Sequence, residues 1–584
     1  MTDQQISVRF CGIAGDGIVT TGRILSGACA GMGMHVMVND IYSAEIRGLG
    51  KSTTTTRFSP SKVYSMGGGV DMLVALAAQE SIEEMPDVKK GGSVIYDSST
   101  IRDINKDESI AAHIPASATG YGVPLKWFAN EATGSNRGRN LVAMGALCYL
   151  YGLPKPAFAN HITGLFQRKG ERVLKTNLKA FELGYSYCEE NFPLKINFEI
   201  DENLAPINLI SGNDALAKGA IDCGLKVFAG YPITPATKIM EIAAKELPKN
   251  DGWTIQVEDE IAAIAAVIGA SYAGRRAMTA TSGPGLSLMS EMINMAIMAE
   301  IPAVIINVQR GGPSTGLPTK VEQSDLNIAL YGGAGDSPRV VMAPTDSVEC
   351  YQGIQLAMDL AEKYQTPVIL LSDLFLSQRT ETADIVENID FDRCARKKPT
   401  ATQMKNYSRY EDTEDGISPM LVPGEEGAFY TITGLEHTIT GNPNYEAQVH
   451  QMMTEKRFRK FSTMIEDLPD VEIMGDKDAE IGIATWGSTL GAVFEGMEIA
   501  RQSGVKSKLI KSMMIHPQRE DSFREFFASC KKVIVPEMNF QGQYAALLKS
   551  RYNITPVEIH LQSVDPVSPS KIAQTILEVH NELL

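Results

Sequence analysis

The chain has 584 residues, 44% hydrophobic and 21% charged, with a formal net charge of −16 at pH 7. This composition predicts a globular chain of several domains and argues against a nucleic-acid ligand, because neutralising phosphates needs a basic face. No apolar run is long enough to span a membrane: the best candidate, Met292 to Val308, is broken by Glu300 and Pro302, and the start Met1-Thr2-Asp3-Gln4-Gln5 lacks a signal-like stretch.

In a first domain spanning 1–195, Ile6, Val8 and Phe10 alternate like a half-buried strand. Gly12-Ile13-Ala14-Gly15-Asp16-Gly17 follows, then a helix over Ile18 to Met32 and strands at His35–Val38, Met72–Ala77 and Ser93–Tyr96. The alternation predicts a parallel α/β layer. The glycine spacing is G-x-x-G-x-G, not the G-x-G-x-x-G of dinucleotide sites. Gly15-Asp16-Gly17 also precedes Asn39, as in Mg²⁺–thiamine diphosphate motifs, but it opens the domain directly after the first strand, and that reading is set aside. A tight βα turn fits the same residues.

A second domain spans 206–385. A strand at Leu225–Ala229 leads through Gly230 to Tyr231-Pro232-Ile233-Thr234-Pro235-Ala236-Thr237. Thr234 is expected as N-cap and Pro235 as first residue of a helix carrying Ile239, Met240, Ile242, Ala243 and Leu247. Ligands bind beyond the carboxyl ends of such strands. A strand at Trp253–Val257 precedes a small-residue helix over Ile261–Tyr272, which suits close packing against a partner, with Glu260 in its first turn. The loop Thr279-Ala280-Thr281-Ser282-Gly283-Pro284-Gly285 has glycines that would let backbone lie against a ligand. Ala303–Val308 reads as a buried parallel strand ending in Gln309-Arg310. A guanidinium there suits bidentate recognition of a carboxylate, or an ion pair within the chain. Strands at Val340–Met342 and Val368–Leu371 and a helix capped near Thr345 or Asp346 complete the domain.

A connector spans 386–478. Its cluster Lys456-Arg457-Arg459-Lys460 reads as a solvated helix face, and its lone His437 as structural. The α/β pattern resumes over 479–584, with strands at Ile481–Thr485 and Lys532–Val535. The eight cysteines, at 11, 29, 148, 188, 223, 350, 394 and 530, include no C-x-x-C pair. That predicts no zinc or iron–sulfur site on this chain and suits a reducing cytoplasm.

Several stretches together resemble one family. Tyr231 to Pro235 is similar to the YPITP motif in the alpha subunit of 2-oxoacid:ferredoxin oxidoreductases, and Thr281 to Gly285 to the pyrimidine-binding loop of thiamine enzymes. Gly12 to Gly22 with Glu45-Ile46-Arg47-Gly48 resembles the gamma domain, and His450 to Arg457 again resembles the family. After Gly434-Leu435-Glu436-His437 the chain has Thr438-Ile439 where the family often has Asp-Glu, which leaves His437 without a family role.

The resemblance implies an α/β fold of three α/β domains: gamma (1–195), pyrimidine-binding (206–385, a parallel sheet with helices on both faces) and, past the connector, transketolase carboxyl-terminal-like (479–584). It implies a fused gamma–alpha subunit supplying half an active site. Glu260 would hydrogen-bond N1′ of thiamine diphosphate, with Pro232, Ser282 and Gly283 against the cofactor. Arg310, with Thr234 as its hydrogen-bonding partner and Tyr231 nearby, would bind the 2-oxoacid carboxylate, and Lys320 is a candidate for a distal carboxylate. Gly15, Asp16, Gly17 and Arg47 would flank coenzyme A access. A beta subunit would hold Mg²⁺, the diphosphate and a 4Fe–4S cluster, in a cytoplasmic dimer of heterodimers. The implied reaction converts 2-oxoglutarate, coenzyme A and oxidised ferredoxin to succinyl-CoA, CO₂ and reduced ferredoxin, reversibly. Pyruvate or a branched-chain 2-oxoacid is the alternative substrate. A non-redox thiamine transferase or decarboxylase also fits the Thr-Ser-Gly-Pro-Gly loop, and a nucleotide-binding regulatory protein fits the first glycine loop.

Overall fold

The computed structural model describes residues 5–13, 15–42, 50–100, 110–198, 204–385, 395–561 and 565–584. The chain divides into two compact units, Met1–Ile210 with Arg379–Asp384, and Ser211–Gln378 with Ile385–Leu584.

The first unit is built on an eight-stranded sheet. Numbered along the chain, its strands are β1 (Ile6–Ile13), β2 (His35–Tyr42), β3 (Lys51–Ser59), β4 (Val70–Ala75), β5 (Val88–Asp97), β6 (Thr119–Val123), β7 (Leu209–Ser211) and β14 (Thr380–Thr382), in the order β6-β5-β4-β1-β3-β2-β14-β7. The parallel layer expected from the sequence holds for β1, β4, β5 and β6, but β3 runs antiparallel to both β1 and β2. The reason is chain length: only residues 43–50 join β2 to β3, too few for the crossover that parallel neighbours need. Ile6, Val8 and Phe10 pack with Ile24, Leu25 and Cys29 of the helix Ile18–Gly31 in one apolar core.

The second unit holds two sheets. The larger has β8 (Val227–Gly230), β9 (Trp253–Gln256), β10 (Ala277–Thr281), β11 (Ala303–Gln309), β12 (Val340–Met342), β13 (Pro367–Asp373) and β18 (Met514–His516), in the order β18-β12-β13-β11-β10-β8-β9. All its pairings are parallel except β18, an antiparallel strand at the β12 edge contributed by the carboxyl-terminal part of the chain. The smaller sheet has β15 (Glu472–Gly475), β16 (Ile481–Ala484), β17 (Lys508–Lys511), β19 (Lys532–Glu537) and β20 (Val557–His560), in the order β15-β17-β16-β19-β20. One apolar cluster runs through both sheets, from Val227 and Ile305 to Trp486 and Tyr544, so the two sheets share a core.

Two sequence expectations are corrected here. The helix after β8 spans Thr237–Glu246 with Ala236 as its N-cap residue, not Thr234. The first turn closes on the Ile233 carbonyl, which accepts from the Ala236 and Thr237 amides, while the Thr234 carbonyl is taken by Arg310. The second correction concerns the basic cluster. Lys456, Arg457 and Lys460 lie on one buried face of the helix Ala447–Met464, and only Arg459 turns outward to Asp412.

The burial has a specific counter-charge. The helix Gly283–Met298 ends in a Schellman motif, with Ile301 N bonding Ala296 O and Glu300 N bonding Ile297 O. Glu300 occupies the left-handed position, at φ 52°, where glycine is normally preferred. Its carboxylate accepts from Lys456 Nζ at 2.7 and 2.8 Å and pairs with Lys460 Nζ at 2.5 Å, while its carbonyl accepts from Arg409 Nη2 at 2.6 Å. Burial alone would raise this carboxyl, but Lys456, Lys460 and Arg409 override it and hold it well below the usual carboxylate range. A residue chosen for its backbone would be glycine; the glutamate is there for its charge.

Glu300→Gly should therefore destabilise the protein although it relieves the backbone. Removing one partner of a buried ion pair costs about 3–5 kcal/mol, far above the ~1 kcal/mol backbone gain from glycine. Chemical denaturation checks the sign; a more stable variant would contradict the assignment.

A second expected outcome concerns pH. His516 in β18 stacks on Phe461 with ring centroids 5.6 Å apart, and its Nδ1 lies 2.8 Å from Arg551 Nη2. Burial, reinforced by the Arg551 charge, lowers it to about 4. The native state then binds fewer protons than the unfolded chain between about pH 4 and the ordinary histidine range near 6.5, so stability present above that range is lost as pH falls toward 4. The loss is at most about 3 kcal/mol, and His516→Gln should flatten that part of the stability–pH curve. An unchanged curve would refute it.

Candidate active site

Three neighbouring parallel strands, β8, β10 and β11, end in the loops that carry the site. After β8, Val257 N bonds Gly230 O at 3.0 Å and the chain turns through Tyr231 to Pro235. Buried Asn213 anchors this turn, donating from Nδ2 to the Pro235 carbonyl at 2.9 Å. Tyr231 is 41% exposed and Thr234 is exposed, so both face outward from the strand end, with Pro232 half-buried.

Arg310 follows β11 and is buried, at 7% exposure. Its Nη1 donates to the Thr234 carbonyl at 2.6 Å, which joins the β8 and β11 loops. The contact uses the threonine backbone carbonyl rather than its hydroxyl. The Nε of Arg310 is buried with no hydrogen-bond partner. Burial lowers the guanidinium, opposed by the charge of Asp325, but an arginine remains charged throughout the physiological range.

The β10 loop contributes Ser282, whose side chain makes no capping bond to the helix Gly283–Met298 and whose Oγ is buried without a partner, as is Thr279 Oγ1. Glu260 opens the helix Glu260–Tyr272, capped by Asp259 accepting from Ala262 N at 2.8 Å, and is itself buried at 6% exposure. A Cβ at Gly285 would lie 2.6 Å from both Glu260 Cγ and Oε1. The Glu260 carboxylate therefore rests directly on the glycine loop, in space a side chain would fill. Gly283 has the same relation to Asp325, whose carboxylate oxygens lie 2.7 and 2.8 Å from the Cβ position.

Asp325, Asn307 and Asn213 were not singled out from the sequence. Asn307 Nδ2 donates to Asp325 at 2.9 Å, and Asp325 N bonds Gln309 Oε1 at 3.1 Å. Burial raises the Asp325 carboxyl, with Glu322 adding to it and Asn307 and Arg310 opposing. The signal available was Asn307 and Gln309 inside the otherwise apolar strand AVIINVQ. Lys320 is already engaged, 3.2 Å from Asp565 Oδ1.

The first glycine loop is closed on itself. Asp16 caps the Ile13 amide at 3.0 Å and pairs with Arg139, while Gly17 packs on Asn140. Gly15 and Gly17 adopt positive φ of 98° and 76°, as a tight turn requires. Arg47 lies outside the described residues.

The arrangement is chemically specific: a buried carboxylate, a free buried hydroxyl and a close-approach backbone on one side, and a buried guanidinium with unused donors on the other. Residues 218–456 match the family model described as pyruvate flavodoxin/ferredoxin oxidoreductase, thiamine diphosphate-binding, and residues 7–187 match the one described as pyruvate ferredoxin/flavodoxin oxidoreductase. The chain is 31% identical to the 2-oxoacid:ferredoxin oxidoreductase 2 alpha subunit of Aeropyrum pernix, over 94% of each chain. It is 33% identical to the 2-oxoglutarate oxidoreductase subunit KorA of Mycobacterium tuberculosis, over 94% of this chain and 87% of that protein. Among solved structures, 2-oxoglutarate:ferredoxin oxidoreductase from Magnetococcus marinus, with 2-oxoglutarate, coenzyme A and succinyl-CoA bound, superposes with a TM-score of 0.92 at 39% identity, over 98% of this chain and 99% of that one.

Gly285→Ala should displace either the Glu260 carboxylate or the Thr281 hydroxyl, both of which meet the added methyl. Overpacking of this kind costs about 1–3 kcal/mol. A denaturation midpoint equal to that of the unmodified chain would show that Glu260 is not held against Gly285.

Proposed function

Because the chain belongs to the 2-oxoacid:ferredoxin oxidoreductase family, as one subunit of a complex, we propose that it supplies half the active site of a 2-oxoglutarate:ferredoxin oxidoreductase. Arg310 carries the reading: it is buried at a strand end, fixed through one N–H by the Thr234 carbonyl, and has donors left for a substrate carboxylate. The full-length similarity to the Magnetococcus marinus enzyme supports 2-oxoglutarate as substrate.

Thiamine diphosphate, when bound, supplies a ring carbon nucleophilic toward ketones and an electron sink for decarboxylation. Glu260, Ser282, Pro232 and the backbone at Gly283 and Gly285 would hold its pyrimidine end on this chain. Buried Glu260 can keep a hydrogen bond to a ring nitrogen because water does not compete for it. Arg310 and Thr234 orient the 2-oxoacid by its carboxylate, with Tyr231 at the mouth of the same turn. In this reading a beta subunit holds Mg²⁺, the diphosphate and the 4Fe–4S cluster and passes electrons to ferredoxin. Burial supports that division, since it raises the thiols of Cys29, Cys148, Cys188 and Cys223 above their ordinary range and opposes the thiolate form that ligates iron. The distal carboxylate of 2-oxoglutarate needs a cation or several donors, and with Lys320 paired to Asp565 we assign that contact to the beta subunit. The domains read as gamma (1–195), pyrimidine-binding (206–385), connector (386–478) and transketolase-like (479–584), in a cytoplasmic dimer of heterodimers. Coenzyme A access by way of Gly15 to Gly17 rests on the family resemblance.

Steady-state assays of the co-purified complex test the proposal. A charge-assisted contact is worth about 1.5–3 kcal/mol, so Arg310→Ala should lower kcat/KM for the 2-oxoacid by roughly 10–100-fold, mainly through KM. Arg310→Lys should rescue poorly because lysine lacks the planar fork. With the unmodified chain, 2-oxoglutarate should outcompete pyruvate. Equal kcat/KM for the two acids would refute the substrate, and an unchanged KM in Arg310→Ala would refute the carboxylate site.

A further inference from the structure

Arg310 is held not only by Thr234. The chain leaves β11, loops out, and returns over residues 320–325 to bond both flanks of the arginine. On one side Asp325 N donates to Gln309 Oε1 at 3.1 Å. On the other, Gly311 N donates to the Lys320 carbonyl at 2.9 Å and Gly312 N to Glu322 Oε2 at 2.8 Å. The returning segment has no helix or strand hydrogen bonds of its own, so something else must fix it.

Gln323 is that fixture. It is fully buried, and both ends of its amide are used: Nε2 donates to Asp373 Oδ2 at 3.0 Å, and Oε1 accepts from Thr489 Oγ1 at 2.8 Å. Its backbone is also bonded at both polar atoms, N to the Met538 carbonyl at 2.8 Å and O from Asn539 Nδ2 at 3.1 Å. Gly487 permits this approach, since a Cβ there would lie 2.6 Å from Gln323 Nε2. Gln543 donates to the Ser324 carbonyl at 2.8 Å and accepts at 2.9 Å from Asn327 N, in the helix Leu326–Tyr331 that follows the segment. Thr489 and Gly487 follow β16, and Met538, Asn539 and Gln543 follow β19. Residues that follow strands of the carboxyl-terminal sheet thus grip the segment that brackets Arg310.

We propose that Gln323 is a positioning residue for Arg310, so that affinity for the substrate carboxylate is set in part by the loops after β16 and β19. This rests on the reading of Arg310 as the carboxylate-binding residue. The physical reason is that a bidentate contact tolerates little displacement, and misplacement by about 1 Å can cost up to ~100-fold.

The test uses the co-purified complex with Gln323→Ala and, in case that variant fails to assemble, Thr489→Val, which removes one hydrogen bond to the same amide. Gln323→Ala should raise KM for the 2-oxoacid roughly tenfold, with KM for coenzyme A unchanged and kcat within about twofold. Thr489→Val should move the same parameter less far. If Arg310→Ala raises KM and neither of these variants does, the positioning role is wrong and the carboxylate reading stands. If Arg310→Ala also leaves KM unchanged, both fall. A uniform loss of kcat with both KM values unmoved would mean that Gln323 merely stabilises the fold, and would overturn the proposal.

Discussion

The ion cluster around Glu300 is the constraint on which the second unit depends. The helix Gly283–Met298 presents its amino end to the site, and its carboxyl end is pinned by Lys456 and Lys460 of the helix Ala447–Met464 and by Arg409. His437 adds to the pin: its Nε2 lies 3.1 Å from the Met298 carbonyl, and its ring packs on Tyr410. Cations at a helix carboxyl end are favoured by the dipole, and here they are buried, so water screens them little. A helix is a stiff rod, and one held at one end has a defined other end. Residues 395–446, which carry Arg409 and His437 and have little regular structure of their own, thereby contribute to where Ser282 and Gly283 sit.

The same economy of regular structure marks the site. Parallel strands deliver Tyr231, Ser282 and Arg310 to their common carboxyl ends, but loops between strands and helices have no ladder to hold them. Buried side-chain amides take that role. Asn213 holds the Pro235 carbonyl, Asn307 holds Asp325, and Gln323 ties the segment after Arg310 to the carboxyl-terminal sheet. Each amide satisfies backbone or carboxylate groups that would otherwise be buried and unpaired. The shared apolar core and the placement of β18 in the larger sheet make the carboxyl-terminal part integral to the second unit.

In the first unit the glycine loop shows how a motif can be spent on its own turn. Asp16, the residue that would have mattered for a metal, is committed to the Ile13 amide and to Arg139. The positive φ angles of Gly15 and Gly17 account for the glycines without any ligand.

The sequence alone determined the α/β class and most of the strands, because these follow from local periodicity. The expected strand at Ala303–Val308 and the observed β11 differ by one residue. Tertiary structure decided what local pattern cannot encode. Lys456, Arg457 and Lys460 look like a solvated stripe because their counter-charges, Glu300 and Glu436, lie elsewhere in the chain, in Glu300's case 156 residues away from Lys456. Thr234 looks like a helix cap because nothing nearby reveals that Arg310 claims its carbonyl. Gln323 looks like any loop glutamine, yet it is completely buried, because the groups that satisfy its amide come from β13 and from the loop after β16. Burial of a charge or an amide is tolerable only when partners converge on it, and that convergence exists only once the chain has folded.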